Sequence, residues 1–118
     1  MSDYSYPYKD AEFIFNELIE FDSMCQQAGL EEVNTELVSA ILEEANRLGS
    51  EVVAPLNSVG DEKGATLGDE GVRETEGFHD AYRQYVEGGW AGLGFPEEFG
   101  GQGMPKVCLL YTSDAADE

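Results

Sequence analysis

The chain has 118 residues, the usual size of one domain, and its 42% apolar content is enough for one modest core. It carries 25 acidic against 6 basic residues, and a formal charge of -19 repels a phosphate backbone, which sets nucleic acid aside as a partner. No run of about 18 apolar residues and no basic-then-apolar leader occurs, so the chain reads as soluble and cytoplasmic, without a membrane span.

Two cysteines, Cys25 and Cys108, are too few and too far apart for a disulfide framework or a zinc site. His79 is the only histidine, so a Cys/His nucleophile pair has little support and no metal site is expected. Cys25 reads as a small buried or half-buried thiol, with no cation nearby in sequence to activate it.

After a Tyr/Pro-rich start, Asp10 is placed to cap a helix through EFIFNELIEF, where Ile14, Leu18 and Phe21 recur at helical spacing and Phe15 with Ile19 widens the stripe. Gly29 breaks the next stretch. Asn34 then caps the strongest helix, with Val38, Ile41, Leu42, Ala45, Leu48 and Val52 on one face and Glu36, Glu43, Glu44, Arg47 and Glu51 on the wet side. Pro55 is expected near its end.

Asn57 to Glu74 carries four glycines and many charges, and reads as a long surface loop. Its acids, Asp61, Glu62, Asp69 and Glu70, do not follow the register of a calcium-binding loop. Thr75 then offers an N-cap for a third helix whose face is Phe78, Tyr82, Tyr85 and Val86, ended by Gly88 and Gly89. His79 sits beside that face and reads as a surface or boundary residue. The expected fold class is all-α.

Residues 89–105 read GWAGLGFPEEFGGQGMP, an aromatic and glycine-rich loop joining two helices, in which glycines let the backbone turn tightly and approach its neighbours. It lacks the register of a phosphate-binding loop, and no strand signal precedes it. This segment resembles the acyl-CoA dehydrogenase family, whose amino-terminal helical domain carries such a signature before a long helix. The matching positions are Gly89, Trp90, Gly92, Leu93, Pro96, Glu98, Gly100, Gly101 and Gly103. The resemblance covers residues 34–106, an incomplete amino-terminal helical domain. Residues 1–33 are similar to the amino-terminal extension, with a short helix, of a bacterial subgroup that includes the methylmercaptopropionyl-CoA dehydrogenases.

That resemblance implies a flavoprotein of fatty acid oxidation: a carboxylate takes the α-proton of an acyl-CoA thioester, a hydride leaves to FAD, and the product is the 2,3-enoyl-CoA. An electron-transfer flavoprotein, the remaining dehydrogenase domains and further copies in a homo-oligomer are the implied partners. The implied base and most FAD contacts lie beyond this chain, so no catalytic or cofactor-binding residue is assigned, and Glu97 and Glu98 are motif or surface residues. The fragment is expected to be inactive and not to bind FAD, since its acidic surplus repels the phosphates of both FAD and coenzyme A. Phe99, Gly100 and Gly101 are the candidates to approach the substrate pocket. A reading from another class is a small acidic helical protein-binding module presenting Phe78, Tyr82 and Trp90.

The ending CLLYTSDAADE resembles no family segment. It matches, residue for residue, one reading frame of a transposase-library sequencing adapter. Residues 107–118 are therefore expected to be a non-native tail, with residues 108–118 extended or poorly packed.

Overall fold

The computed structural model describes residues 4–113. Helix α1 (Tyr8–Phe13) runs into a wider π-helical turn (Ile14–Leu18), and α2 spans Phe21–Gln27. The single helix expected from Asp10 to Phe21 is thus two, because Glu20 takes a left-handed conformation at φ 47°. The break has a packing reason. It turns Phe21 back onto Phe15, their ring centroids 4.9 Å apart at 58°, and both side chains are buried.

Helix α3 (Thr35–Arg47) starts where the sequence places it: Asn34 Oδ1 accepts from the Leu37 N–H at 2.9 Å. A carboxylate adds to this amide cap. Asp22 Oδ1, from α2, accepts both the Thr35 N–H (2.6 Å) and the Thr35 hydroxyl (2.7 Å), tying α2 to the positive end of α3. Val38 and Leu42 are the buried residues of α3, and Tyr6 N–H donates to Asn46 Oδ1 at 2.6 Å, strapping the first segment along it.

Pro55 does not end this helix. The chain passes through a π-helical turn (Leu48–Val53) into α4 (Ala54–Lys63), with Pro55 in the first turn of α4. Proline has no N–H to offer the carbonyl four residues back and its ring crowds that carbonyl, so the wider turn accommodates it without breaking the run.

The expected loop from Asn57 to Glu74 is also corrected. Its first part is α4, and its second part is a hairpin of β1 (Thr66–Gly68) and β2 (Gly71–Arg73), with Leu67 opposite Val72. The fold is therefore mostly helical with one short antiparallel hairpin rather than all-α. Thr75 does not cap the third helix. Its hydroxyl donates to the Gly64 carbonyl at 2.8 Å, closing the base of the hairpin, and α5 (Phe78–Glu87) begins after Gly77. Gly88 and Gly89 end α5 as expected, Gly89 at φ 76°.

Two 3-10 turns (Trp90–Gly92 and Glu97–Phe99) then lead to α6 (Lys106–Ser113). The expectation of a poorly packed tail fails at the start of α6: Cys108 is 1% exposed and Leu109 packs against the core. The reason is local. Cys108 N–H bonds to the Pro105 carbonyl at 3.0 Å, and the helix so begun turns a small apolar thiol toward the core. Residues 114–118 of the tail lie outside the described residues.

The core joins Ala11, Phe15, Phe21 and Cys25 from α1, its π turn and α2, Val38 and Leu42 from α3, then Leu93, Met104 and Cys108. Residues of the expected extension, 1–33, thus share one core with the helical segment that follows. The molecule is elongated, 56 × 34 × 19 Å, with a radius of gyration of 17.0 Å. A compact domain of 100 residues has about 13 Å.

Candidate functional site

The glycine-rich loop between α5 and α6 folds back on itself. Gln102 N–H donates to the Gly92 carbonyl (3.1 Å), Met104 N–H to Leu93 (3.0 Å) and Gly103 N–H to Phe95 (2.9 Å), so the outgoing and returning arms are cross-linked by main chain. Leu93 and Met104 pin the base of this clasp in the core. At its tip, Pro96 precedes a 3-10 turn closed by Gly100 N–H to the Glu97 carbonyl (2.9 Å) and Gly101 N–H to the Pro96 carbonyl (3.1 Å).

Two glycines are required by this geometry. Gly100 has φ 82°, and a methyl on Gly101 would collide with the Phe95 carbonyl. Gly92 lends its carbonyl to the clasp, and Gly103 sits at φ 64°. Glu98 is exposed on the tip turn.

Trp90 is half-buried against the core and lines two shallow clefts, one between α3 with its π turn and α5, the other between α3 and the loop. The larger, about 420 Å³, has Glu44, Arg47 and Glu51 on one side and Gln84 and Glu87 on the other. The smaller, about 230 Å³, is lined mainly by Ala40, Ile41, Trp90 and Leu93 with the Gln102 amide. Gln102, which also donates to the Gly89 carbonyl at 3.3 Å, and Glu87 were not singled out from the sequence. Their only signal was adjacency to the motif.

The pocket candidates sit elsewhere. Phe99 is 77% exposed at the tip, beside exposed Gly100, and Gly101 packs on the Phe95 backbone, so none of the three lines either cleft. Phe95 is also exposed, and with Phe99 it makes the tip an outward apolar surface. A second such surface is α5, where Phe78, Tyr82, Tyr85 and Val86 are all exposed.

The chemistry of the described residues is quiet. Burial pushes the Cys25 thiol above its ordinary range, with the Asp22 carboxylate adding to the effect. Burial, then the neighbouring Cys25, pushes Cys108 up to about 11. Both thiols are buried and held neutral, and buried neutral thiols are poor nucleophiles. Among the described residues no group of His, Cys, Asp and Glu is arranged to hold a metal, and no helix is long and apolar enough to cross a membrane.

No family model matches the chain. It is 36% identical over 104 residues to a 3-methylmercaptopropionyl-CoA dehydrogenase of Ruegeria pomeroyi, a match covering 88% of this chain. The chain spans 18% of the length of that relative. This likeness supports the resemblance to acyl-CoA dehydrogenases carried by the glycine and tryptophan loop.

Proposed function

We propose that this chain is the amino-terminal helical part of an FAD-dependent acyl-CoA dehydrogenase, whose complete form converts an acyl-CoA thioester to the 2,3-enoyl-CoA. The carrying observation is the 36% identity across 88% of the chain to a protein with that kind of name. In the complete enzyme, bound FAD would supply the acceptor for the β-hydrogen, and an electron-transfer flavoprotein would take the electrons onward. The relative's name makes a short acyl-CoA bearing a methylthio group the first substrate to assay.

The residues present do not fit FAD on their own. A dinucleotide needs convergent N–H donors or cations for its phosphates, whereas the larger cleft is walled by Glu44, Glu51 and Glu87, and its one cation, Arg47, is bonded to Glu44. No buried side-chain polar atom among the described residues lacks a partner, so none is held in wait for a ligand. We therefore route no chemical step through these residues. Their work in the complete enzyme is structural: closing one side of the acyl pocket with the tip Phe99, Gly100 and Gly101, and packing the α5 stripe against the remaining domains. A cytoplasmic homo-oligomer is the proposed state of the complete protein. Residues 107–118 are proposed to be non-native, which an independent read of the locus tests: it should diverge from CLLYTSDAADE at about Val107 or Cys108.

The exposed stripe Phe78 and Tyr82 also suits the second reading, a protein-binding module, although Trp90 is half-buried. Expression of residues 1–106 beside the completed locus separates the two. The short form should carry no flavin absorbance and no dye-coupled turnover, and the complete form should have both. Stoichiometric flavin on the short form, or a stop codon soon after Lys106, would overturn the dehydrogenase reading.

A further inference from the structure

The buried core takes no side chain from the chain between Leu42 and Leu93, and the half-buried hydrophobics packed on it resume only at Trp90. The intervening stretch is nevertheless tied to itself. A methyl on Gly60 would sit 2.9 Å from the Phe78 ring, and one on Gly77 would sit 2.7 Å from Leu56, so these glycines let α4 and the start of α5 close tightly. Thr75 seals the hairpin base through Gly64, and Lys63 pairs with Glu76 across it.

This arm joins the rest of the molecule at two places. One is the π turn Leu48–Val53, which has no buried residue and is followed, after Ala54, by Pro55, the residue that cannot complete the helical ladder. The other is Gly88–Gly89, where α5 stops. The two places face each other across the larger cleft: Leu48, Glu51 and Val52 on one wall, Gln84, Glu87 and Gly88 on the other. None of the ion pairs among the described residues crosses that gap, and the facing walls share the same sign of charge.

We propose that α4, the hairpin and α5 swing as one arm about a paired hinge, the π turn Leu48–Val53 and Gly88–Gly89, which opens and closes the cleft beside Trp90. The π turn has no buried residue, Gly88–Gly89 is held by Trp90 and the Gln102 amide, and the internal ties make this a motion of the arm as a body. The device stands whether or not the larger enzyme reading holds, because it rests on this chain's packing alone.

Spin labels report it directly. In a Cys25→Ala, Cys108→Ala background of the full chain, one label pair at Glu36→Cys and Asp61→Cys spans the hinge, and a control pair at Asp10→Cys and Glu36→Cys lies on one side of it. The spanning pair should give a broad distance distribution and the control pair a narrow one. Adding Pro55→Ala, which restores a main-chain donor beside the π turn, should narrow the spanning distribution by about half. A spanning distribution as narrow as the control, or equal breadth in both pairs, overturns the proposal. Hydrogen exchange on the unsubstituted chain is an independent measure: amides of Leu48–Val53 should exchange about tenfold faster or more than those of Val38–Leu42, and equal protection overturns it too.

Discussion

Asp22 does more for the fold than its place on the surface suggests. One carboxylate oxygen receives both the main-chain and side-chain donors of Thr35, so it satisfies an end of α3 that Asn34 alone leaves incomplete. Asp22→Ala should lower the unfolding free energy in urea by about 1–2 kcal/mol, and Asp22→Asn by less, because the amide oxygen keeps the acceptor and loses only the charge. The two thiols give a pH test. Their pKa values are raised in the folded chain, so the neutral form is favoured there; the stability this provides is intact below the ordinary thiol range and is lost as pH climbs through the folded value, about 11 for Cys108. Urea midpoints should hold level to pH 8 and fall at alkaline pH, and alkylation should be slow until the chain unfolds.

At the scale of elements, the clasp makes a contrast between neighbouring glycines. Gly100→Ala meets open space and suffers only its positive φ, roughly 1 kcal/mol, whereas Gly101→Ala must displace the Phe95 backbone and should cost clearly more, about 2–3 kcal/mol. Tryptophan fluorescence of Trp90 during denaturation reads both. The elements legible in the sequence are those with a face to bury or a strong cap: Asn34 and the α3 stripe, and the double glycine after α5. Helix α4 was illegible because it buries nothing, so no periodic stripe exists to see, and Gly60 within it and Gly64 just after it, with Pro55, argued for a loop. Three-residue strands are too short to show alternation, and the left-handed Glu20 carries no glycine to announce it. At the site, the glycines announced a tight loop, but not that Gly101 serves the clasp while Gln102 and Glu87 face the clefts. Which side of a turn meets a neighbour depends on contacts distant in sequence.

For the whole molecule, charge and shape act together. Arg47, Lys63, Arg73 and Arg83 each pair with an exposed acid, and the net charge of -19 remains unopposed on an elongated body. Exposed pairs of this kind contribute little, so screening should matter more than pairing. The thermal midpoint should rise by several degrees as salt increases from about 0.02 to 0.5 M, and a flat or falling midpoint in a thermal scan would contradict this. The exposed apolar stripe on α5 lowers the expected stability further.

The gap in the core between Leu42 and Leu93 also sets the order of events as the chain acquires its structure. Bringing those two residues together closes a span of about 50 residues, an entropic toll of about 3.5 kcal/mol if the span is slack. The α4–hairpin–α5 unit shortens that journey, because once formed it returns the chain to the place it left. Its helices, however, gain no support from the core they help to assemble. Assembly is therefore mutual: during synthesis the first 42 residues hold an unfinished apolar face until Leu93 and Met104 have emerged, and a ribosome paused before that point exposes Phe15, Phe21 and Leu42 to chaperones.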